Sequence, residues 1–549
     1  MTCNIAAFLP AMALERPDAV ALVVPSGRDQ SGKRTYTTCT YAQLDARSDR
    51  IAHGLLAYGL RRGSRAVLMV TPGESFFALT FGLFKAGIAP VLVDPGLGIA
   101  QLDQCIAEAE PDAFIGVTKA HLARAVLGWG RHSVQHLVSV DAMLGWGGAT
   151  LAEIEALGAN AGPMLAATAP DDLAAVLFTS GSTGPAKGAE YLHRHFVAQV
   201  EFIRDLYGIT PGEIDLPTFP LFALFDPALG MTTVIPEMDF TRPARVDPTM
   251  LAELISDWGV TNVFGSPALL ATVAAHGVPN GVYWPTVRRV LSAGAPVPWQ
   301  VLEAMHQLLP PDAQVFTPYG ATESLPVASI GSREVLAETR ALTETGHGVC
   351  VGRPPTGVQV RVIAVDDRPL PTWDGVRELP PGEVGELCVF GPSTTQAYFG
   401  RPKATRLAKV ARGEQLWHRM GDVGYFDAQG RLWYCGRKGH RVELPDRTLH
   451  TAPVEEIFNT HPSLRRSALV GVRKAGQTVP VVCLELHRDA KVRGKALVAE
   501  LTEHAAEHGQ TRGIVTFLEH PGFPVDIRHN AKIGREKLAV WAQEKLGWR

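Results

Sequence analysis

The sequence predicts an α/β protein: a large N-terminal region of layered α/β subdomains that includes a β-barrel-like part, followed by a small α+β C-terminal domain. Three observations predict it. Apolar β-rich runs alternate with helical patterns through the first three quarters, which favours βαβ units and a parallel sheet. After Gly352 the pattern shifts to short strands divided by Pro and Gly turns, the mark of an antiparallel or barrel-like appendage. Beyond Gly436 to Gly439 lies a stretch of about 110 residues with its own strand pair and helices, the size of a small domain. With 549 residues, 46% hydrophobic and 19% charged, the chain is an ordinary globular protein with room for several domains.

The elements read in order. SRAVLMVTP is a strand and SFFALTFGLFKAG a helix; IAPVLVDP and IAQLDQCIAEAE repeat the pair. LAAVLFT is an apolar strand that opens into a loop dense in Gly, Ser and Thr. The segment AEYLHRHFVAQVEFIRDLYG then reads as a helix with Leu192, Phe196, Val200, Ile203 and Tyr207 on one face. VQVRVIAVDD, GEVGELCVFGP and GRLWYCGRK are short strands. SALVGVRKAG and PVVCLEL pair, KALVAELTEHAAEHG is a helix, and KIGREKLAVWAQEKL a terminal one. There is no internal repeat and no low-complexity tract.

Charge and cysteine use exclude several classes. Lys plus Arg number 52 against 55 Asp plus Glu, a net charge of -3, so no nucleic-acid partner is expected. Seven cysteines lie far apart without a C-x-x-C pair and read as small core hydrophobes of a reducing cytoplasm. The N-terminus has no basic n-region, and its apolar stretch is broken by Pro10. The most apolar internal stretch, Ala78 to Val93, contains Lys85 and Pro90 and is too short to span a bilayer. A cytoplasmic protein without a transmembrane segment is expected. Ile5 to Leu14 is expected to pack on its own domain rather than on a lipid surface.

The loop TSGSTGPAKG carries the strongest chemistry. Gly181, Gly184 and Gly188 let the backbone turn and approach a ligand. Ser180, Ser182 and Thr183 offer donors for phosphate oxygens, and Lys187 supplies the point charge. It is not a Walker A loop, because Gly188 rather than Ser or Thr follows the lysine.

TSGSTGPAKG resembles the phosphate loop of the adenylate-forming superfamily of acyl-CoA synthetases, luciferase and peptide-synthetase adenylation domains. Four further stretches match that family in its order. VLSAGAPVP resembles the segment lining the adenine pocket, which implies backbone contacts from Gly294, Ala295 and Pro296. TPYGATES resembles Y-G-x-T-E, which implies that Tyr319 stacks on adenine beside Gly320, that Thr322 contacts phosphate and that Glu323 holds Mg2+. HRMGDVGYFDAQGRLWYCGRKG resembles the T-G-D and G-R-x-D pair, which implies that Asp422 accepts from both ribose hydroxyls and that Arg437 faces the nucleotide. RHNAKIGREKL resembles the terminal G-K-I-x-R stretch, with Ala531 where Gly is usual, and implies Lys532 as the cation between the attacking carboxylate and the α-phosphate.

The resemblance thus implies ATP and Mg2+, catalytic roles for Lys532, Glu323, Thr322 and Lys187, and nucleotide contacts from Thr179 to Gly184 as well as Lys187. It also implies an adenylation domain over residues 1–436 and a mobile lid over 437–549, hinged near Lys438. Two departures from the family bear on the acyl acceptor. FPLFALFDPALG has Ala223 after Phe222 where an aromatic residue or His is common, and Asp226 where Gly is usual. GRKGHRVELPDR lacks the family's K-x-x-G run after the hinge, which argues against thioester formation with CoA.

Within the superfamily the chain as a whole most resembles the β-lactone-forming subfamily of bacterial olefin biosynthesis. That resemblance implies a long-chain 2-alkyl-3-hydroxy acid substrate and association with the thiolase, reductase and decarboxylase of that pathway. Asp226 and His193 are candidate bases for the hydroxyl by their chemistry. The readings left open are a fatty acyl-CoA synthetase or acyl-AMP ligase and, from another class, a non-catalytic nucleotide-binding scaffold of a lipid-processing complex. His504, Glu507 and His508 form H-x-x-E-H, which reads as chance on a polar helix rather than a protease zinc site.

Overall fold

The computed structural model describes residues 3–141, 147–179, 186–525 and 532–548. Two mostly parallel sheets form the body of the N-terminal region. The first has seven strands in the order Ala149–Thr150, His136–Ser139, Ala113–Gly116, Arg65–Met69, Ala89–Val93, Leu173–Thr179 and Lys187–Leu192. Its last pair is antiparallel. The second has eight strands in the order Ser324–Gly331, Gln314–Ala321, Arg289–Leu291, Asn262–Phe264, Ile214–Pro217, Thr232–Val234, Val20–Arg28 and Arg34–Thr40, parallel at the centre and antiparallel at both ends.

Helices Tyr41–Ala57 and Glu74–Ala86 lie between the sheets in one core that extends from Ile5 to Leu291. Thr40 and Gln43 form a capping box that starts the first of them. The second ends on Gly87, whose φ of 69° suits a left-handed cap. The stretch 78–93 is therefore a core helix and strand. Lys85 is fully buried there and pairs with Asp45 at 2.5 Å and Asp49 at 2.6 Å. No helix among the described residues is long and apolar enough to cross a membrane. The N-terminal helix Phe8–Glu15 buries Leu9 against the core and leaves Leu14 exposed. All seven cysteines are free, and all but Cys3 are buried.

Alternation along the central strands of the eight-stranded sheet decides what each face can do. Leu216, Val234, Val263, Val290 and Val315 face an apolar core. On the other face the register aligns Thr233, Asp215, Asn262, Arg289 and Gln314 in one row of polar side chains.

The part from Val349 onward forms an antiparallel sheet of six strands, among them Val349–Gly352, Gln359–Ile363, Gly385–Phe390, Gln415–Phe426 and Leu432–Arg437. Gly436 has a φ of 127°, and a Cβ there would meet Thr451 Oγ1 at 2.2 Å, so only glycine fits. The C-terminal part is a small α+β unit. Leu464–Lys474 and Gln477–Leu486 pair antiparallel, Phe517–Glu519 joins in parallel, and helices Gly494–Glu507 and Arg535–Leu546 cover the sheet.

One expectation needs correction. The phosphate loop leads into a strand, Lys187–Leu192, and the helix begins only at His193. Gly188, Ala189 and Tyr191 are buried, and pairing back along Leu173–Thr179 satisfies backbone groups that a helix would have satisfied internally.

Lys85→Met leaves two carboxylates without their cation, so it should lower the free energy of unfolding by roughly 3 kcal/mol. Urea unfolding followed by tryptophan fluorescence reads this, and an unchanged midpoint would contradict it.

Candidate active site

The phosphate-loop residues Ser180, Gly181, Ser182, Thr183 and Gly184 lie outside the described residues, and the strands on either side fix where the loop starts and ends. Thr179 closes the outgoing strand and is the register partner of Lys187, which opens the return. Lys187 Nζ sits 5.1 Å from the centre of the Tyr398 ring. The Tyr398 hydroxyl in turn donates a short hydrogen bond to Glu323 Oε1. Burial, the Glu323 charge and this bond all push the Tyr398 phenol far up. The Glu323 carbonyl accepts from the Thr395 N–H at 2.8 Å and from its hydroxyl at 3.1 Å. The Thr322 carbonyl accepts from the Tyr191 hydroxyl at 2.6 Å. The backbone of the Y-G-x-T-E segment is thus held from two sides.

The cross-strand pair Asp422 and Arg437 stands at the end of the hairpin Gln415–Phe426 and Leu432–Arg437. Asp422 Oδ1 is 3.0 Å from Arg437 Nη1, and Asp422 Oδ2 accepts from the Tyr319 hydroxyl at 2.6 Å. Burial raises the Asp422 carboxyl, while Arg437 and the Tyr319 bond pull it back. Oδ1 is buried and, beyond the Arg437 ion pair, has no hydrogen-bond partner in the structure. A buried acceptor of this kind suits a sugar hydroxyl. The adjacent Lys438 donates to the Asp366 carbonyl at 3.1 Å and lies 3.2 Å from Glu386, which also pairs with buried Arg419 at 2.6 Å.

Lys187, Gly294, Gly320, Thr322, Glu323, Arg437, Lys438 and Lys532 line one cavity of ≈ 540 Å³. The positive charge of Lys532 acts on Asp422. Residues from five separate stretches of sequence are brought together here. Ala295, Tyr319 and Asp422 are not on this wall but each adjoins a residue that forms it, and Pro296 is one position farther along the chain.

The other end of the cavity is apolar, walled by Phe81, Phe84, Phe196, Phe222 and Phe264, with Phe222 stacked on Phe264 at 4.4 Å. Ala223 is buried in the core beside Phe222 and is not part of the wall. His193 is not part of it either. Its Nδ1 accepts from the Ile5 N–H at 3.2 Å, its ring meets Phe84 edge-on, and burial pushes it down to about 4. It fastens the N-terminal segment, where the sequence reading made it a candidate base. The His504, Glu507 and His508 ligand atoms lie within 4.8 Å of one another, on the C-terminal unit and off the cavity wall.

Asp226 is on the wall and fully enclosed, together with Asp215, which sequence reasoning missed. Thr233 Oγ1 donates to Asp226 Oδ2 at 3.0 Å, and Asn262 Nδ2 donates a short bond to Asp215 Oδ1. Burial raises Asp226 well above the carboxylate range, with the Asp215 charge adding to it. Burial also pushes Asp215 up to about 7, opposed by Asn262, by its bond with Asp226, by the Leu216 N–H and by the Arg289 charge. Two buried carboxyls in contact share a proton because they cannot both ionise cheaply. The signal in the sequence was an Asp inside the short apolar strand Ile214–Pro217. Lys409 was missed as well: buried, donating to the Thr395 carbonyl, it is pushed down to about 7 by burial, with Glu323 opposing.

The acid pair links stability to pH. Between an unfolded value near 4 and about 7, the folded chain holds protons that the unfolded chain has released. Its contribution is therefore complete at low pH and is lost as pH rises through that window. The fall in melting temperature from pH 5 to pH 7.5 should be smaller in Asp226→Asn than in the wild type, and parallel slopes in the two proteins would rule out the shared proton.

The fold and the sequence have counterparts among known proteins. A model of the AMP-binding enzyme family matches residues 9–399. The chain is 55% identical over 99% of its length to the olefin beta-lactone synthetase of Xanthomonas campestris pv. campestris, covering 98% of that protein. It is also 55% identical to the olefin beta-lactone synthetase of Stenotrophomonas maltophilia, over 99% of each chain. Among solved structures, the amide bond synthetase McbA of Marinactinospora thermotolerans superposes with a TM-score of 0.79 at 23% identity, over 98% of this chain and 99% of that one. ATP-bound MatB of Rhodopseudomonas palustris gives 0.78 at 19% identity, over 99% of this chain and 100% of that one. With the family model spanning most of its length, the chain belongs to the AMP-binding enzyme family.

Proposed function

We propose that this chain is an ATP-dependent β-lactone synthetase acting on a long-chain 2-alkyl-3-hydroxy acid. The observation that carries the reading is the 55% identity, end to end, to two olefin beta-lactone synthetases. The site supports it, because cations and a carboxylate gather at one end of a single cavity and phenylalanines at the other.

In the first step a carboxylate oxygen of the substrate attacks the α-phosphorus of ATP, and diphosphate leaves. Lys532 offsets the charge of the two approaching anions, and Lys187 with the loop donors holds the phosphates. Asp422 takes the ribose hydroxyls and Tyr319 the adenine. Glu323 is the residue to hold Mg2+, because Tyr398 occupies Oε1 and leaves the carboxylate's other oxygen as a hard donor. When bound, Mg2+ neutralises phosphate charge.

In the second step the β-hydroxyl oxygen attacks the acyl carbon, the hydroxyl proton is given up, and AMP leaves with the electron pair of the broken C–O bond. The nucleophile is already tethered, so its effective molarity offsets ring strain and no thiol channel is needed. Residues 1–436 would carry the adenylation chemistry and 437–549 the lid, hinged at Lys438. The thiolase, reductase and decarboxylase of an olefin pathway are the expected partners, in the cytoplasm.

NMR of the product from ATP, Mg2+ and a synthetic 2-alkyl-3-hydroxy acid, with and without CoA, tests the reading. A CoA-independent four-membered lactone is expected, and a thioester would replace the reading with an acyl-CoA synthetase. Lys532→Ala should cut diphosphate release by at least about 100-fold; undiminished release would remove Lys532 from the chemistry.

A further inference from the structure

The apolar end of the cavity contains one polar patch that adenylate chemistry does not require. Its components come from the row described above. Asp215 is the register partner of Thr233 on one side and Asn262 on the other, so the three side chains share a face. Asp226 reaches the same point from the helix Asp226–Leu229 and bonds to Thr233. Asp215, Asp226 and Asn262 all line the cavity, although each is no more than 4% exposed.

The donors and acceptors of this patch do not balance. Asp215 accepts from the Asn262 amide and the Leu216 N–H, and Asp226 accepts from the Thr233 hydroxyl. Burial raises both carboxyls, and the Asp215 charge raises Asp226 further, which favours a proton held by the pair. Asn262 Oδ1 is left as a buried acceptor without a partner. A buried polar atom is normally satisfied, and phenylalanines around it supply no donor. The patch is therefore one donor short, and the group that completes it must carry an O–H or N–H into an otherwise apolar space.

We propose that Asp215, Asp226 and Asn262 form a binding site for the hydroxyl group of the substrate, so that the enzyme selects hydroxylated acids over plain acids of the same skeleton. The proposal deepens the function given above and rests on it. A hydroxyl suits the patch because it can donate to Asn262 Oδ1 while accepting the proton held by the acid pair. Asn262 lies two residues from Phe264 along its strand, roughly 7 Å, so the patch adjoins the phenylalanine wall. An acid without the hydroxyl strands both the acceptor and the proton, and that is how a site built around a hydrogen bond discriminates.

The test compares kcat/KM for diphosphate release with a 2-alkyl-3-hydroxy acid and with the same acid lacking the hydroxyl, in the wild type, Asn262→Leu and Asp226→Asn, with the products identified in parallel. The wild type is expected to favour the hydroxy acid by about 10-fold or more. Each substitution should erase most of that preference. A wild type that makes lactone but activates both acids equally overturns the site and leaves the proposed function standing; it would also mean that water fills the Asn262 acceptor. A preference that survives both substitutions overturns it in the same way. Thioester formation or no turnover with either acid overturns the proposed function and the site with it. The wild-type comparison needs no variant, so a variant that fails to fold does not rescue the proposal.

Discussion

The register of the hairpin Gln415–Phe426 and Leu432–Arg437 is the constraint on which both ends of the nucleotide site depend. It sets Asp422 opposite Arg437, and because Lys438 follows directly, it also delivers that ammonium to Glu386 on the neighbouring strand Gly385–Phe390. Glu386 is 1% exposed and is shared by Arg419 and Lys438, so neither cation can leave without exposing a buried charge. A slip of one residue would turn every one of these side chains to the opposite face. The chain thus leaves its last large strand under electrostatic tension at both of two consecutive residues, and that fixes where the C-terminal unit begins its path back over the cavity.

For the proposed reaction the same cavity has to accept both a polyanion and hydrocarbon. Cations belong where phosphates bind, and Lys187, Arg437 and Lys532 gather there. A full charge beside alkyl chains would be expensive. The acyl end keeps its polar character without paying that cost because Asp215 and Asp226 share a proton, and because Arg289, the next cation along the polar row, is turned to Glu213 in a buried ion pair. The polar row therefore changes from paired charge to shared proton as it enters the cavity. This division is electrostatic, and the phenylalanine wall makes it sharper by excluding water.

What was legible in the sequence follows from how local each signal is. The loop at 179–188 and the segments around Tyr319, Asp422 and Lys532 stand out because glycines and polar residues interrupt apolar strands within a few positions. The paired strands and helices of the C-terminal unit were legible because each is long enough to show its period. The polar row was not, because Asn262–Phe264 and Arg289–Leu291 are three residues long, too short to show alternation. Tyr398 beside Glu323 and Tyr191 beside Thr322 are separated by 75 and 131 positions, and only the tertiary fold joins them. The end of the strand Lys187–Leu192, from Ala189 on, was read as the start of the helix because Leu192 also fits a helical face with Phe196 and Val200. His193 looked like a base because a histidine's chemistry is visible in a sequence while its burial against Ile5 is not.

A tethered nucleophile also explains how one set of cations can serve two opposite demands. During adenylation, negative charge accumulates between the carboxylate and the α-phosphate; during cyclisation, it departs on AMP. In the proposed reaction both centres are the same phosphate, so Lys532, Lys187 and Arg437 would stabilise the second transition state without moving to a new site. An external thiol would have to reach that phosphate along a second route and meet those cations from another side. A hydroxyl two carbons from the acyl carbon arrives with the substrate and needs only to be held and relieved of its proton. For such an enzyme specificity lies in the acyl wall, and the polar patch at Asp215, Asp226 and Asn262 is where that wall can distinguish an acid that can close a ring from one that cannot.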